Sequence, residues 1–250
     1  MQQACGKECV LTMSRHAEVR TSGLARLVEK QMRNWELTHA QRHEGPPPSP
    51  REVGEFICIS REVGAGGHMI ALAVGERLGW PVFGKELLHL MAGDDALRKP
   101  IYAALDERDT GWLESMLQTL MDSKFVRDDY FRRLSETVLA IARKGNAVFV
   151  GRAVDMILPA DVGLRVRVIA PRKMRVDRMA ARGHVDREQA EREIDWLEED
   201  RTAYIRRHFG VDVGDPRRYD LVINLGRLTH AQAAEVVVRA HELLKGTLVR

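Results

Sequence analysis

Apolar positions change period several times along this chain. Phe56-Ile57-Cys58-Ile59 is a continuous apolar run, too short for a helix and rich in β-branched residues, so it predicts a buried strand. The next apolar positions, Ile70, Ala73, Val74 and Leu78, share one helical face, and Gly79 and Pro81 end that helix. Between strand and helix lies Gly64-Ala65-Gly66-Gly67. Pro81-Val82-Phe83 predicts a short second strand, followed by a helix over 85–91 with Leu87, Leu88 and Met91 inward. Residues 94–144 carry mostly helical periods, clearest over 112–121 and 130–143. Strands return at 146–150, bounded by Gly145 and Gly151, at 164–169 and at 219–224. Pro171 marks the first position of the next helix, and Asp186 with Gln189 caps a longer one ending near Phe209. Thr229 with Gln232 caps a last helix with Ala233, Val236, Val237, Ala240 and Leu244 on its core face. Alternating strands and helices predict a three-layer α/β/α fold with a parallel sheet and a helical insertion over 94–144.

Ahead of this pattern, residues 1–20 show no usable period. Ser22 opens a stretch with Leu24, Leu27, Val28, Met32 and Trp35 on one helical face, closed by the stiff linker Gly45-Pro46-Pro47-Pro48-Ser49-Pro50. The expected division is an N-terminal extension over 1–50 and a main domain over 51–250. The amphipathic stretch either docks on its own domain or joins a partner or a second copy.

Composition narrows the classes. The chain has 250 residues, 44% hydrophobic and 30% charged, which are values of a globular protein with a sizeable core. A net charge of +3 suits an anionic ligand but is too weak to argue for nucleic acid, and 6% aromatics give no base-stacking platform. No apolar run approaches the roughly 20 residues of a membrane helix, and residues 1–10 contain no apolar core of a signal peptide. Three cysteines, one of them (Cys58) in a core strand, point to a reducing, cytoplasmic setting. Cys5 and Cys9 lack a second ligand pair and read as incidental thiols, so no metal site is expected from side chains alone.

The chemistry begins at the glycine loop. A strand, a glycine loop and a helix in that order gather unpaired N–H groups and a positive helix end, which suits a phosphate. The Walker pattern fits imperfectly. Aligned on Gly66, Arg61 stands at the first glycine, Gly67 at the lysine and His68 at the Ser/Thr. The dinucleotide pattern matches Gly64 and Gly66 but meets Met69 at its third glycine, which argues against an oxidoreductase. Arg152 follows the 146–150 strand, where a guanidinium fork would face a ligand. The helix after Pro171 carries Arg172, Lys173, Arg175, Arg178 and Arg182, and Glu198, Arg201 and Arg207 are charged positions of the next helix, read as facing the same cleft.

Five segments then occur in a telling order: ISREVGAGGHMIA, LGWPVFGKELL, VFVGRAVDMIL, the Glu198/Arg201/Tyr204 spacing and YDLVINLGRLT. Together they resemble the cytidylate kinase-like family, a branch of the P-loop nucleoside monophosphate kinases, over about residues 22–244. The resemblance implies a P-loop NTPase-like fold with an arginine-bearing lid, ATP and Mg²⁺ as cofactors, and CMP or dCMP as substrate. It implies that Ser60, Arg61, Gly64, Ala65, Gly66, Gly67, His68 and Met69 hold the ATP phosphates. It implies catalytic roles for Arg152, Arg178, Arg182 and Arg201, and substrate contacts from Arg152, Asp155, Asp195 and Glu198. The departures from cytidylate kinases proper are Gly67 for the loop lysine, Ala153 for the acidic residue after Gly-Arg, Ile194 for a lid arginine and Gly84 for an aspartate. They leave room for a second reading, a nucleotide-binding sensor of little activity. A third is an interaction protein acting through its N-terminal helix.

Overall fold

A computed structural model describes residues 53–122 and 129–245. The amphipathic stretch after Ser22, the proline linker, Cys5 and Cys9 lie outside the described residues. The elements run β1 (Phe56–Arg61), α1 (Gly67–Leu78), β2 (Val82–Phe83), α2 (Lys85–Gly93), α3 (Asp95–Ala103), α4 (Glu107–Asp122) and α5 (Asp129–Lys144). They continue with β3 (Ala147–Val150), α6 (Val154–Ile157), β4 (Leu164–Ile169), α7 (Arg172–Gly183), α8 (Arg187–Phe209), β5 (Leu221–Asn224) and α9 (His230–Lys245).

The strands form one parallel sheet in the order β2-β3-β1-β4-β5. Alternation along β1 divides the core. Ile57 and Ile59 face a layer with α1 and α9, including Ile70, Val74, Ala233 and Val237. Phe56 and Cys58 face the helical insertion, packing with Phe149, Leu88, Leu134 and Val138. Burial pushes the Cys58 thiol far up, so it behaves as a small apolar side chain. Helices on both faces make the three-layer α/β/α arrangement of a P-loop NTPase-like fold. No helix among the described residues is long and apolar enough to cross a membrane.

Three of the boundaries that differ from the pattern lie at the edges of later elements. Pro171 sits one residue before α7 as its N-cap, with an extended ψ of 136°, because the helix turns only at Arg172. Asn146 has a φ of 54° and precedes β3 instead of opening it. Tyr219 and Asp220 likewise precede β5, where Asp220 accepts from the backbone N–H of Arg165.

The connection after β1 runs toward β2, and the connection after β4 runs the other way, toward β5. The carboxyl ends of β1 and β4 therefore border the crevice where open α/β sheets bind ligands. The insertion is fastened beneath by Asp109 on α4. Its carboxylate accepts from Arg143 Nε at 2.7 Å and Lys144 Nζ at 2.6 Å, at the end of α5. Burial works to raise its pKa, but the hydrogen bonds from Lys144 and Arg143 outweigh it and hold the carboxyl below its ordinary value. A depressed folded pKa gives stability that is complete above the unfolded value of about 3.9 and is lost as pH falls through the folded one. Asp109→Asn, which leaves Arg143 buried without its carboxylate, is expected to lose about 3–5 kcal/mol at pH 7. Urea unfolding at pH 7 and pH 3 should show the variant closer to wild type at the lower pH. Equal losses at both would remove the ionised pair as the cause.

Candidate functional site

β1 delivers Ser60 and Arg61 to the carboxyl edge, and the loop that follows reaches α1 through left-handed Gly64 (φ 75°) and Gly66 (φ 89°). Gly67 and His68 are the first two residues of α1, so their N–H groups have no partner within the helix. Ala65 is buried behind the loop, and Met69 is exposed.

Gly67 and Arg61 occupy one space. A β-carbon on Gly67 would come within 2.7 Å of Arg61 Cβ and 3.1 Å of its Cγ. A β-carbon on Gly151, at the end of β3, would fall on the Arg61 guanidinium. The Arg61 side chain thus runs from β1 past the first residue of α1 to the end of β3, between two positions without side chains. Its guanidinium makes no hydrogen bond among the described residues. Burial, then the nearby Arg201, Arg167 and Arg152 charges, lower its pKa to about 10, with Glu86 pulling the other way. It stays charged at neutral pH.

Three more guanidinium groups surround it. Arg152 sits on a turn in which Gly151, Arg152 and Ala153 all have positive φ (76°, 57° and 53°). Left-handed backbone at two consecutive non-glycine residues is strain of the kind found at ligand sites. Arg152 Nε is buried without a partner, and its guanidinium lies 5.9 Å from the Tyr130 ring centre. Arg167 on β4 donates to the Ser60 hydroxyl at 2.8 Å, and the Tyr219 hydroxyl lies 3.4 Å from the same oxygen. Arg201 on α8 donates to the Arg61 carbonyl at 2.7 Å.

The other predicted residues take different places. Arg178 on α7 donates to the Ala65 carbonyl at 2.9 Å. Glu198 accepts from the Val63 N–H at 2.5 Å and from Arg175 at 3.3 Å. Both fasten the loop. Arg182, in the last turn of α7, is exposed and acts on His68 through charge. Asp155 pairs with Arg218 at 3.1 Å, and burial raises its carboxyl pKa. Asp195 stands apart, exposed and held in a two-pronged pair with Arg172 at 2.7 and 2.8 Å. Arg207 is exposed on α8 and has no hydrogen-bond or ion-pair partner among the described residues.

Sequence reasoning missed Arg167, Glu86 and His230. Arg165 and Arg167 alternate on β4 with apolar neighbours. Arg165 is satisfied by the carbonyls of residues 158, 159, 160 and 162, whereas Arg167 reaches only a hydroxyl. The available signal was an arginine between valines near the end of an apolar strand. Arg175 donates to the Val63 carbonyl at 3.4 Å and pairs with Glu62. His230, at the start of α9, lies against Gly66, its Nε2 buried without a partner; burial and Arg178 lower its pKa.

The cofactor fit is mixed. Glycine N–H groups and four guanidinium groups fit a polyphosphate. The Mg²⁺ that the resemblance implies would meet His68 where the pattern has a hydroxyl. Among the described residues no group of three or more His, Cys, Asp or Glu side chains could hold a metal ion. Burial lowers the His68 pKa, so it offers a neutral imidazole, a nitrogen donor in place of the oxygen Mg²⁺ favours.

Fold and site together define a P-loop kinase-like protein. The sequence profile of the Cytidylate kinase-like family matches residues 56–227, more than half of the chain, and the chain belongs to that family. A cytidylate kinase from Staphylothermus marinus is 28% identical over 96 residues, 38% of this chain and 54% of that protein. One from Methanothrix thermoacetophila is 27% identical over 106 residues, 42% and 60% of the two chains. The alignments thus span little more than half of those relatives. An uncharacterized protein from Eubacterium ventriosum shares the fold, with a TM-score of 0.53 at 20% identity over 75% of this chain and 98% of that one.

Gly67→Ala is expected to push Arg61 out of its channel and weaken ADP binding about tenfold, measured by calorimetry. Gly111→Ala, on α4 with nothing within 4 Å, should leave it unchanged. Unchanged binding in Gly67→Ala would separate Arg61 from the phosphate site.

Proposed function

We propose that this protein is a nucleoside monophosphate kinase that moves the terminal phosphoryl group of ATP, carried with a divalent cation, to CMP or dCMP. The observation that carries this reading is Arg61, seated in the space beside Gly67 with three other guanidinium groups around it. Phosphoryl transfer asks a protein mainly for positioning and charge neutralisation. Arg61 takes the role of the missing loop lysine on the β- and γ-phosphates. Ser60 positions Arg167, and the N–H groups of Gly64, Gly66, Gly67 and His68 cradle the donor phosphates, those of Ala65 and Met69 being bonded to the carbonyls of Glu62 and Gly66. Arg152 holds the acceptor phosphate, opposite the donor across the end of β1. An oxygen of that phosphate attacks the γ-phosphorus, the bond to the β–γ bridging oxygen breaks, and ADP leaves with the negative charge. Arg201 and Arg167 face the oxygens that gain charge. His68 and Glu86 would hold a divalent cation carried with the nucleotide, which would supply further neutralisation. Arg178 and Arg182 belong to the arm that closes over the reactants.

The division into a kinase domain over 51–250 and an extension over 1–50 belongs to this proposal. So do the approach of Asp155, Asp195 and Glu198 to substrate and a cytoplasmic setting. Of these three, Glu198 is the closest to the loop, and Asp195 would have to leave Arg172. One observation favours a weakly active nucleotide sensor instead. Arg178 and Arg201 are both engaged with loop carbonyls, so neither guanidinium is wholly free to meet the transferring phosphoryl group.

Transfer from ATP to CMP, dCMP, UMP, AMP and GMP, with Mg²⁺ and with Mn²⁺, separates the readings. Turnover of one pyrimidine nucleotide is expected, with Arg61→Ala lowering kcat/KM at least about 100-fold. Binding without turnover favours the sensor, and absence of both removes the nucleotide reading. An Arg61→Ala enzyme of unaltered rate would refute the lysine replacement.

A further inference from the structure

Gly84 connects β2 to α2 and is buried, with a φ of −83°, so its backbone does not require glycine. Its side-chain space is open and lies between two donors. A β-carbon there would sit 3.7 and 3.8 Å from Cε1 and Nδ1 of His68, and 3.9 Å from Oε2 of Glu86. An imidazole nitrogen and a carboxylate oxygen from the first turns of α1 and α2 thus border one gap. Neither side chain has a hydrogen bond or ion pair among the described residues. An aspartate at position 84 would fill the gap with a second carboxylate, and glycine leaves it free for an ion with its water.

The charges around the gap restrict what enters. Arg61, Arg182 and Glu86 all act on His68. Two of the three are positive, so a bare cation is repelled, while a cation already neutralised by nucleotide phosphates is not. Two protein donors are too few for a resident metal, but enough for one whose remaining ligands are phosphate oxygens and water.

We infer that His68 Nδ1 and Glu86 form the protein's half of a divalent-cation site, completed by the donor phosphates. Its nitrogen donor would select Mn²⁺ or Co²⁺ over Mg²⁺. Mg²⁺ holds to oxygen ligands and dehydrates reluctantly, whereas imidazole gains on the first-row transition ions. The inference rests on the nucleotide-binding reading and adds the ion's identity and ligands. Glu86 carries the carboxylate that position 84 lacks, two residues further along the chain.

The test uses the full-length protein with Mn²⁺·ADP as the probe, since ADP avoids turnover. Electron spin-echo spectra of the bound Mn²⁺ are expected to show modulation from a directly coordinated nitrogen. His68→Ser, which restores the hydroxyl of the Walker pattern, should abolish that modulation. It should also shift the ratio of ADP affinities with Mn²⁺ and Mg²⁺ about tenfold toward Mg²⁺. Glu86→Gln should keep the nitrogen signal and weaken Mn²⁺·ADP several-fold, while Glu242→Gln, on the exposed side of α9, should change neither. Binding of Mn²⁺·ADP without nitrogen modulation, or an unchanged metal ratio in His68→Ser, overturns the inference and leaves nucleotide binding standing. Absence of ADP binding with every metal overturns both.

Discussion

The volume of one side chain sets the geometry of the candidate site. Arg61 leaves the end of β1 and must cross the start of α1 to reach the crevice, with the turn after β3 on its far side. Both surfaces have to be bare for it to pass, and both are, at Gly67 and Gly151. β1 and β3 are neighbours in register, Ile59 against Val150, so the two glycines face the same channel from opposite walls. A lysine at position 67 is therefore excluded by sterics as well as absent from the sequence. The loop exchanges a charge on the helix for a charge on the strand, held by a side chain that is walled on two sides.

Electrostatics then sets a requirement on the ligand. Arg61, Arg152, Arg167 and Arg201 are gathered in a partly buried place, and desolvation, with their repulsion behind it, depresses Arg61 to about 10. β4 provides an internal comparison. Arg165 turns into a ring of carbonyls and needs nothing more, whereas Arg167, two residues on and on the same face, has a single hydroxyl. Adding the partnerless Nε of Arg152 and the left-handed turn that presents it, the cluster is less satisfied than the rest of the core. Such an arrangement lowers stability without an anion and is preorganised for one, which is how charge-stabilising sites work. The two apolar layers on either side of the sheet make it tolerable.

What the sequence made legible follows from the range of the forces involved. Strands and helices were readable because apolar periods are local, and β4 and the end of α8 fall where the pattern put them. The Thr229–Gln232 capping box was equally readable, with reciprocal hydrogen bonds at 2.9 and 3.2 Å. The path of Arg61 was not, since it depends on two glycines 84 residues apart meeting across a sheet. Arg167 was hidden because a strand arginine flanked by valines reads as an edge residue until the strand order is known. Asp195 is a different case: the resemblance implied a substrate contact, and the sequence could not show that Arg172 on the neighbouring helix holds its carboxylate. Residue types near a motif can be read from sequence, but their partners depend on which helix packs beside them.

The arginines that fasten the loop also decide which way it faces. In a trans peptide the C=O and the following N–H point in opposite directions. Arg175 holds the carbonyl of Val63 and Arg178 that of Ala65, both from the α7 side. The amides of Gly64 and Gly66 are thereby turned the other way, and neither has an acceptor among the described residues. Arg201 does the same to the Arg61 carbonyl, and the Glu62 N–H on the opposite side is taken up by Val168 at 3.0 Å. Glycine at 64 and 66 permits this orientation and the arginines enforce it, so these N–H groups are aligned before any ligand arrives. In the proposed reaction Arg178 and Arg201 therefore contribute through the carbonyls they hold. Arg178 turns the Gly66 N–H toward the crevice, and Arg201 fixes the Arg61 carbonyl where β1 ends. Their engagement with carbonyls, which taken alone points to an idle site, is consistent with a working one whose loop has no lysine to organise it.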